Sequence, residues 1–475
     1  MALFMASCAR DVVVPAGQQP EVFPDYAGVT VPAGIAPLDF ELRDSSVQRI
    51  CVRVCGGGHE LTVRGRIASF PVRKWHRLLE AAKGGDLTFE VSGRTSGGWK
   101  AYEPFEVHVS PDPIDYGLTY RLVAPGYEGY GKMGIYERRL SDFRERTLLE
   151  NTEFENGCVN CHSSYRGDPS TYSLHIRGAH GATILSLDGT VDAYNTKTDS
   201  TLGFCVYPYW HPSGRYIAYS TNSTRQAFFT AGEDLVHVYD TASDILIYDT
   251  VNGELIVPET LAREEVWETY PVFSADGNHL YYCAAEPKDI QDHYKEVKYD
   301  LYRASFDPET CSVTGEPELV VDASSSGRSV SFPRPSYEGR HLMYTLSDYG
   351  NFSIWHHEAD LMMLDLDTME SVALDAINSP EAESFHEWDT SSRWVVFSSR
   401  RGDGRHTRLY IAHISDDGTA SKPFLLPQRD PHRYYEGLFK SYNVPGFVTG
   451  PVRMNSRKVS GMILSDERDD FRCRK

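Results

Sequence analysis

A mostly β fold, with a sandwich-like N-terminal domain followed by a propeller of five to six blades, is what this sequence predicts, and three observations carry it. Tyr at 29 outnumbers Phe at 21, and 38 Gly with 26 Pro favour short strands joined by tight turns over long helices. Short runs in the first third of the chain alternate apolar and polar residues with period two, the pattern of strands with one buried face. Four copies of a turn followed by a hydrophobic strand recur after about residue 170, their turns centred on Gly214, Gly277, Gly339 and Ser392. The intervals of 63, 62 and 53 residues suit a four-stranded blade plus its loops. At 475 residues the chain is long enough to bury a sizeable core unaided.

The elements follow in order. Residues 1–20 open with a short apolar stretch ending in Ala6, Ser7 and Cys8, which resembles the end of a bacterial lipoprotein signal, and continue as a Pro-, Gly- and Gln-rich spacer. A lipid on Cys8 is then the expected membrane contact, since no run of about 18 apolar residues exists to span a bilayer. Residues 21–145 read as the sandwich-like domain, with alternating runs at 60–67, 87–91, 105–109 and 118–122. One helix interrupts them: Trp75, Leu78, Leu79 and Ala82 fall at i, i+3, i+4 and i+7, and Gly84-Gly85 ends it. Cys51 and Cys55, four apart in a strand, share a face and are not a bridge. Residues 146–170 form a connective segment. Residues 171–465 hold the repeats, with further strand signals at 244–249, 301–305, 360–365 and 408–412, an atypical first blade near 184–189 and a closing one near 448–464. Residues 466–475 read as a charged, solvated tail holding Cys473.

The repeat unit, an aromatic residue, then Ser/Pro-x-Asp/Ser-Gly-Arg/Asn, then a hydrophobic strand, resembles the β-propeller repeat of TolB-like proteins. That resemblance implies a structural role for the turns, in which Gly supplies a positive φ, and it names no active site. As a whole the chain resembles exported bacterial proteins in which a β-rich domain, one C-x-x-C-H site and a TolB-like propeller follow in order.

That site is Cys158-Val-Asn-Cys161-His162. C-x-x-C-H is the attachment signature of c-type haem: two thiols add to the vinyl groups, and the adjacent imidazole ligates the iron. One covalent haem c is therefore expected, with Met133, His175 or His180 as the candidate sixth ligand. No second C-x-x-C provides for a zinc site, and no βαβ pattern surrounds the pair as a thioredoxin-like motif requires. Haem attachment takes place outside the bacterial cytoplasm, which agrees with the start of the chain. The expected function is a monohaem protein of the cell envelope, in the periplasm or lipid-anchored at the outer membrane. It would pass or sense electrons with the propeller as the docking platform for a protein partner, as a carrier or binding protein rather than an enzyme.

Two other readings stand beside it. One is an envelope interaction scaffold with no chemistry of its own. The other is a metal-dependent carbohydrate-binding or uronate-lyase-like propeller, for which His356, His357, His386, His406 and His413 supply ligand types. Nucleic acid is excluded as a partner: 47 Lys and Arg against 67 Asp and Glu leave a net charge of -20, with no basic patch of useful size. A propeller peptidase would need a G-x-S-x-G domain that has no room after the last blade.

Overall fold

The computed structural model describes residues 13–124, 131–155, 157–228 and 236–474. Cys8 and its neighbours lie outside them. Six four-stranded blades surround a channel, and each innermost strand packs against the next around the ring. The innermost strands are Cys158–Ser164 in blade I, Cys205–Trp210 in II, Trp267–Phe273 in III, Ser329–Pro335 in IV, Glu383–Trp388 in V and Ser441–Val448 in VI. In blades II to V the other three strands follow the innermost one along the chain.

Blade VI closes the ring differently. Its innermost strand is C-terminal, while its other three, Gly117–Val123, Gly134–Arg139 and Glu145–Glu150, come from before blade I. Leu118 pairs with Phe447 and Leu122 with Tyr442 in an antiparallel ladder. The period-two pattern of residues 118–122 suggests membership of the N-terminal domain, but five of the seven residues of this strand are buried, on both faces. Both of its edges are also paired, so the strand belongs to the ring. Blade I likewise starts earlier than the sequence suggests. The Cys158 segment is its innermost strand rather than a connector, and residues 184–189 lie in its third strand and the turn beyond.

The repeated turns join first and second strands. In each, the N–H of Gly214, Gly277, Gly339 or Ser392 donates to the carbonyl three residues earlier, and all four residues have positive φ. Ser392 adopts 59°, a conformation that glycine reaches without strain, and its hydroxyl accepts a hydrogen bond from Glu338 N–H at 3.1 Å in the neighbouring blade. His211 Nε2 donates to Gly277 O at 3.0 Å and ties blade II to blade III.

The N-terminal domain is one seven-stranded mixed sheet with the helix Val72–Ala82 against it and a separate two-stranded ribbon, Val22–Phe23 with Glu41–Leu42. The helix buries Trp75, Leu78, Leu79 and Ala82, the four residues its spacing singled out. Trp75 joins Phe40, Phe70, Phe89 and Phe105 in an aromatic cluster whose core runs on into Trp394 and Ile411 of blade V. Asp112 to His413 at 2.6 Å and Asp115 to Thr390 Oγ1 at 2.6 Å fasten the same interface. Cys51 and Cys55 lie half-buried on one face of the strand Arg49–Gly56, and none of the eight described cysteines is in a disulfide.

The C-terminal tail is not a solvated end. Asp469–Asp470 extends blade I alongside Tyr194–Asn195, and Arg472–Cys473 extends blade II alongside Glu254–Leu255. Phe471 between them is buried, its ring stacked on Tyr248 with centroids 3.9 Å apart. A single aromatic anchor outweighs the charges around it, because those charges stay on the exposed edges.

Gly277→Ala places a Cβ 2.3 Å from His211 Nε2 at φ 76°. It is expected to destabilise the protein by about 2 kcal/mol or more through backbone strain plus overpacking, read as a lower urea midpoint.

Candidate functional site

All six innermost strands share a local irregularity. Each carries a β-bulge, a residue pair left out of the ladder, whose first member has positive φ. The pairs are Cys161-His162, Tyr207-Pro208, Tyr270-Pro271, Phe332-Pro333, Phe385-His386 and Val444-Pro445. Proline suits the second position because a bulge residue gives no N–H to the ladder. From Tyr207 to Phe385 the pairs recur at 63, 62 and 53 residues, the same intervals as the turns, so this second repeat is present in the sequence and was missed there.

The first positions form a layer across the channel. Tyr207 meets Tyr270 with ring centroids 4.6 Å apart, Tyr270 meets Phe332 at 4.2 Å, and Phe332 meets Phe385 at 4.7 Å. Four blades thus supply a continuous aromatic arc. Blades VI and I supply Val444 and Cys161, which are too small to complete it. On their side lies a cavity of about 360 Å³, walled by residues of blades VI, I, II, IV and V.

The Cys-x-x-Cys-His segment lines this cavity. Residues three apart in a regular strand face opposite sides, but the bulge at Cys161, with φ 51°, brings Cys158 and Cys161 into the same space. Met133 stands there too: Arg121 Nη2 donates to both Met133 Sδ and Cys158 Sγ, each at 3.3 Å. Neither ring nitrogen of His162 makes a hydrogen bond of normal geometry. Burial, then the Arg121 charge, push its pKa to about 4 against a lesser pull from the Thr119 backbone, so the ring is neutral at pH 7. Burial raises the Cys161 thiol.

Of the other sixth-ligand candidates, neither reaches the cavity. His175 sits in the second strand of blade I and is buried between its Nδ1 partner Thr183 Oγ1, at 3.0 Å, and the Phe204 ring. His180 is on the outside of the blade, bridging Asp466 at 2.9 Å and Glu155 at 3.2 Å, and these partners raise its pKa. Strand alternation and the turn after Arg177 carry both away from the axis.

The channel is also the place where charge inverts. In a chain of net charge -20, among the described residues four arginines, Arg121, Arg166, Arg177 and Arg334, face the cavity with one carboxylate, Glu387, which Arg334 Nε holds at 3.0 Å.

No family model matches this chain, and no curated protein matches it. Among solved structures it is similar to a puromycin-hydrolysing peptidase of Mycobacterium tuberculosis, at 12% identity and TM-score 0.38 over 85% of this chain and 57% of that one. It is similar to an oligogalacturonate lyase in complex with manganese, at 14% identity and TM-score 0.33 over 65% of this chain and 86% of that one. A DUF4784 family protein from Bacteroides caccae shows 10% identity and TM-score 0.32 over 76% and 96%. The chain spans just over half the length of the peptidase it matches.

The histidines proposed for a metal-dependent sugar site do not gather. His386 Nε2 donates to Met343 O at 3.0 Å, His357 pairs with Glu381, His406 with Asp403 and His413 with Asp112, while His356 packs on Tyr349. Among the described residues no three His, Cys, Asp or Glu side chains converge to hold a metal ion. Each ring is instead used in packing: His386 ties blade V to blade IV, and His413 ties blade V to the segment after the N-terminal domain.

Burial depresses His386 from 6.5 to about 3, so its stabilising contribution is complete above pH 6.5 and is lost as pH falls toward 3. His386→Gln is expected to show a shallower loss of thermal midpoint between pH 6.5 and 4 than the unaltered protein.

Proposed function

We propose that the channel carries one covalent haem c, attached through Cys158 and Cys161 with His162 as proximal ligand, and that the protein transfers or senses electrons in the cell envelope. One observation carries the reading: an imidazole whose two buried nitrogens make no hydrogen bond of normal geometry shares a cavity with two thiols and a thioether. That donor set fits haem c, whose iron takes one imidazole and whose potential rises when Met is the second ligand. Met133 is the second ligand in this reading, being the one of the three candidates at the cavity. Arg121, bonded to both sulfurs, positions Cys158 and Met133. The haem supplies one-electron chemistry; the chain's own residues hold it in a pocket whose aromatic arc limits water.

The docking platform is the end of the ring where the innermost strands begin. Phe439 stands two residues before Ser441 and is 74% exposed, and Phe228, 51% exposed, extends the second strand of blade II past the residue that pairs with Cys205. Exposed aromatics at this end of the ring, Phe228 among the residues that line the cavity, suit a protein partner approaching within electron-transfer distance. Export to the periplasm or outer membrane, with a lipid on Cys8 as tether, follows from the site of haem attachment.

A second reading, an interaction scaffold, draws on the bulge repeat. His386 occupies the same position as His162 without any cysteine pair, so part of the motif has a structural account.

Expression with an export signal in a cytochrome-c-maturing host decides between them. The first reading expects a reduced-minus-oxidised haem spectrum and a haem stain that survives a denaturing gel, both lost in Cys161→Ala. It also expects Met133→His to keep the haem and lower the reduction potential. A protein without haem, beside a control cytochrome matured in the same cells, overturns it in favour of the scaffold.

A further inference from the structure

The geometry points to a second property of the channel, independent of covalent attachment: its cavity is a reversible binding site for a flat, conjugated organic anion. Shape, charge and unsatisfied polar groups each lead there.

The shape comes from the incomplete aromatic layer. Tyr207, Phe332 and Phe385 present the arc to the cavity from three blades, with Tyr270 packed between Tyr207 and Phe332, while Val444 and Cys161 leave the facing side hollow. At about 360 Å³ the hollow falls in the range of small-ligand sites. A planar ring system is the shape that fills it while stacking on the arc.

The sign of charge comes from the arginines. Arg334 spends its charge on Glu387, but Arg166 lies over the Tyr337 ring at 5.0 Å and has no carboxylate partner among the described residues. Arg121 directs Nη2 at two sulfurs, which are weak acceptors, and its buried Nε has no partner. A guanidinium so placed gains most from a carboxylate, which accepts charge-assisted hydrogen bonds. Asn160 Oδ1, also buried and unpaired in this wall, adds an acceptor for a hydroxyl or N–H on the ligand.

Two sources share this chemistry: a free aromatic carboxylate, and a tetrapyrrole with its propionates. The test uses the full chain made in the cytoplasm without attachment machinery, titrated by calorimetry with 2-naphthoate, with its neutral analogue 2-naphthalenemethanol, and separately with haemin. Saturable binding of 2-naphthoate at least tenfold tighter than the neutral analogue is expected, with Arg121→Gln and Arg166→Gln each weakening it several-fold. Val444→Phe, which extends the aromatic arc and leaves the Cys-x-x-Cys-His segment intact, is expected to abolish it. Val444→Met serves as the milder filling variant where Phe compromises folding by circular dichroism.

Haemin bound with 2-naphthoate excluded assigns the site to tetrapyrroles; 2-naphthoate bound alone assigns it to free aromatic anions. Equal affinity for acid and alcohol, or binding unchanged in both filling variants, overturns the inference. Because the titration needs no thioether bonds, its failure leaves the covalent haem reading standing, and a missing haem spectrum leaves this inference standing.

Discussion

Six innermost strands lie side by side around one axis, and the ring stands only if the last of them, Ser441–Val448, finds a partner on its outer edge. Gly117–Val123 supplies it, so hydrogen bonds between residues more than 300 positions apart lock blade VI. An unpaired strand edge left there would expose a row of N–H and C=O groups. The long sequence separation makes this ladder costly to form early in folding, and it joins the start and end of the ring once formed. The C-terminal segment adds a second tie, since Phe471 docks between extensions of blades I and II.

Convergence at the axis explains the site. Strands that crowd together cannot all keep regular alternation, and each relieves the crowding with a bulge at the same depth. The bulge turns one residue per blade toward the layer that fills the channel. Aromatic residues fill it in four blades, and the two smaller ones define where space remains. The cavity is thus a local departure from a sixfold pattern, and the thiols, the imidazole of His162 and Arg121 are gathered around that departure. Its arginine-rich lining contrasts with the net charge of -20 of the whole chain: the Arg166 guanidinium lies over the Tyr337 ring, and Arg121 is held by two sulfurs.

Much of the fold was legible from local rules. The turn repeat marked blades II to V because each turn needs a positive φ, which Gly214, Gly277 and Gly339 advertise and Ser392 does not. The helix was legible from four apolar residues on one face. Strand 117–123 was misplaced because period-two alternation says that a strand is half-buried and is silent on which sheet it joins. The tail was misread because its charges dominate composition, while a single Phe471 determines its position.

The sequence by itself determined the mostly β class and the blade period, and it singled out Cys158, Cys161 and His162 as one short motif, since each depends on residue type and short spacing. Only the tertiary structure decided that the Cys-x-x-Cys-His segment is an innermost strand, that Met133 joins it while His175 and His180 do not, and that the arginines meet there. Those facts depend on ring closure and on the bulge, and both arise from packing six strands around one axis rather than from any segment's own propensity.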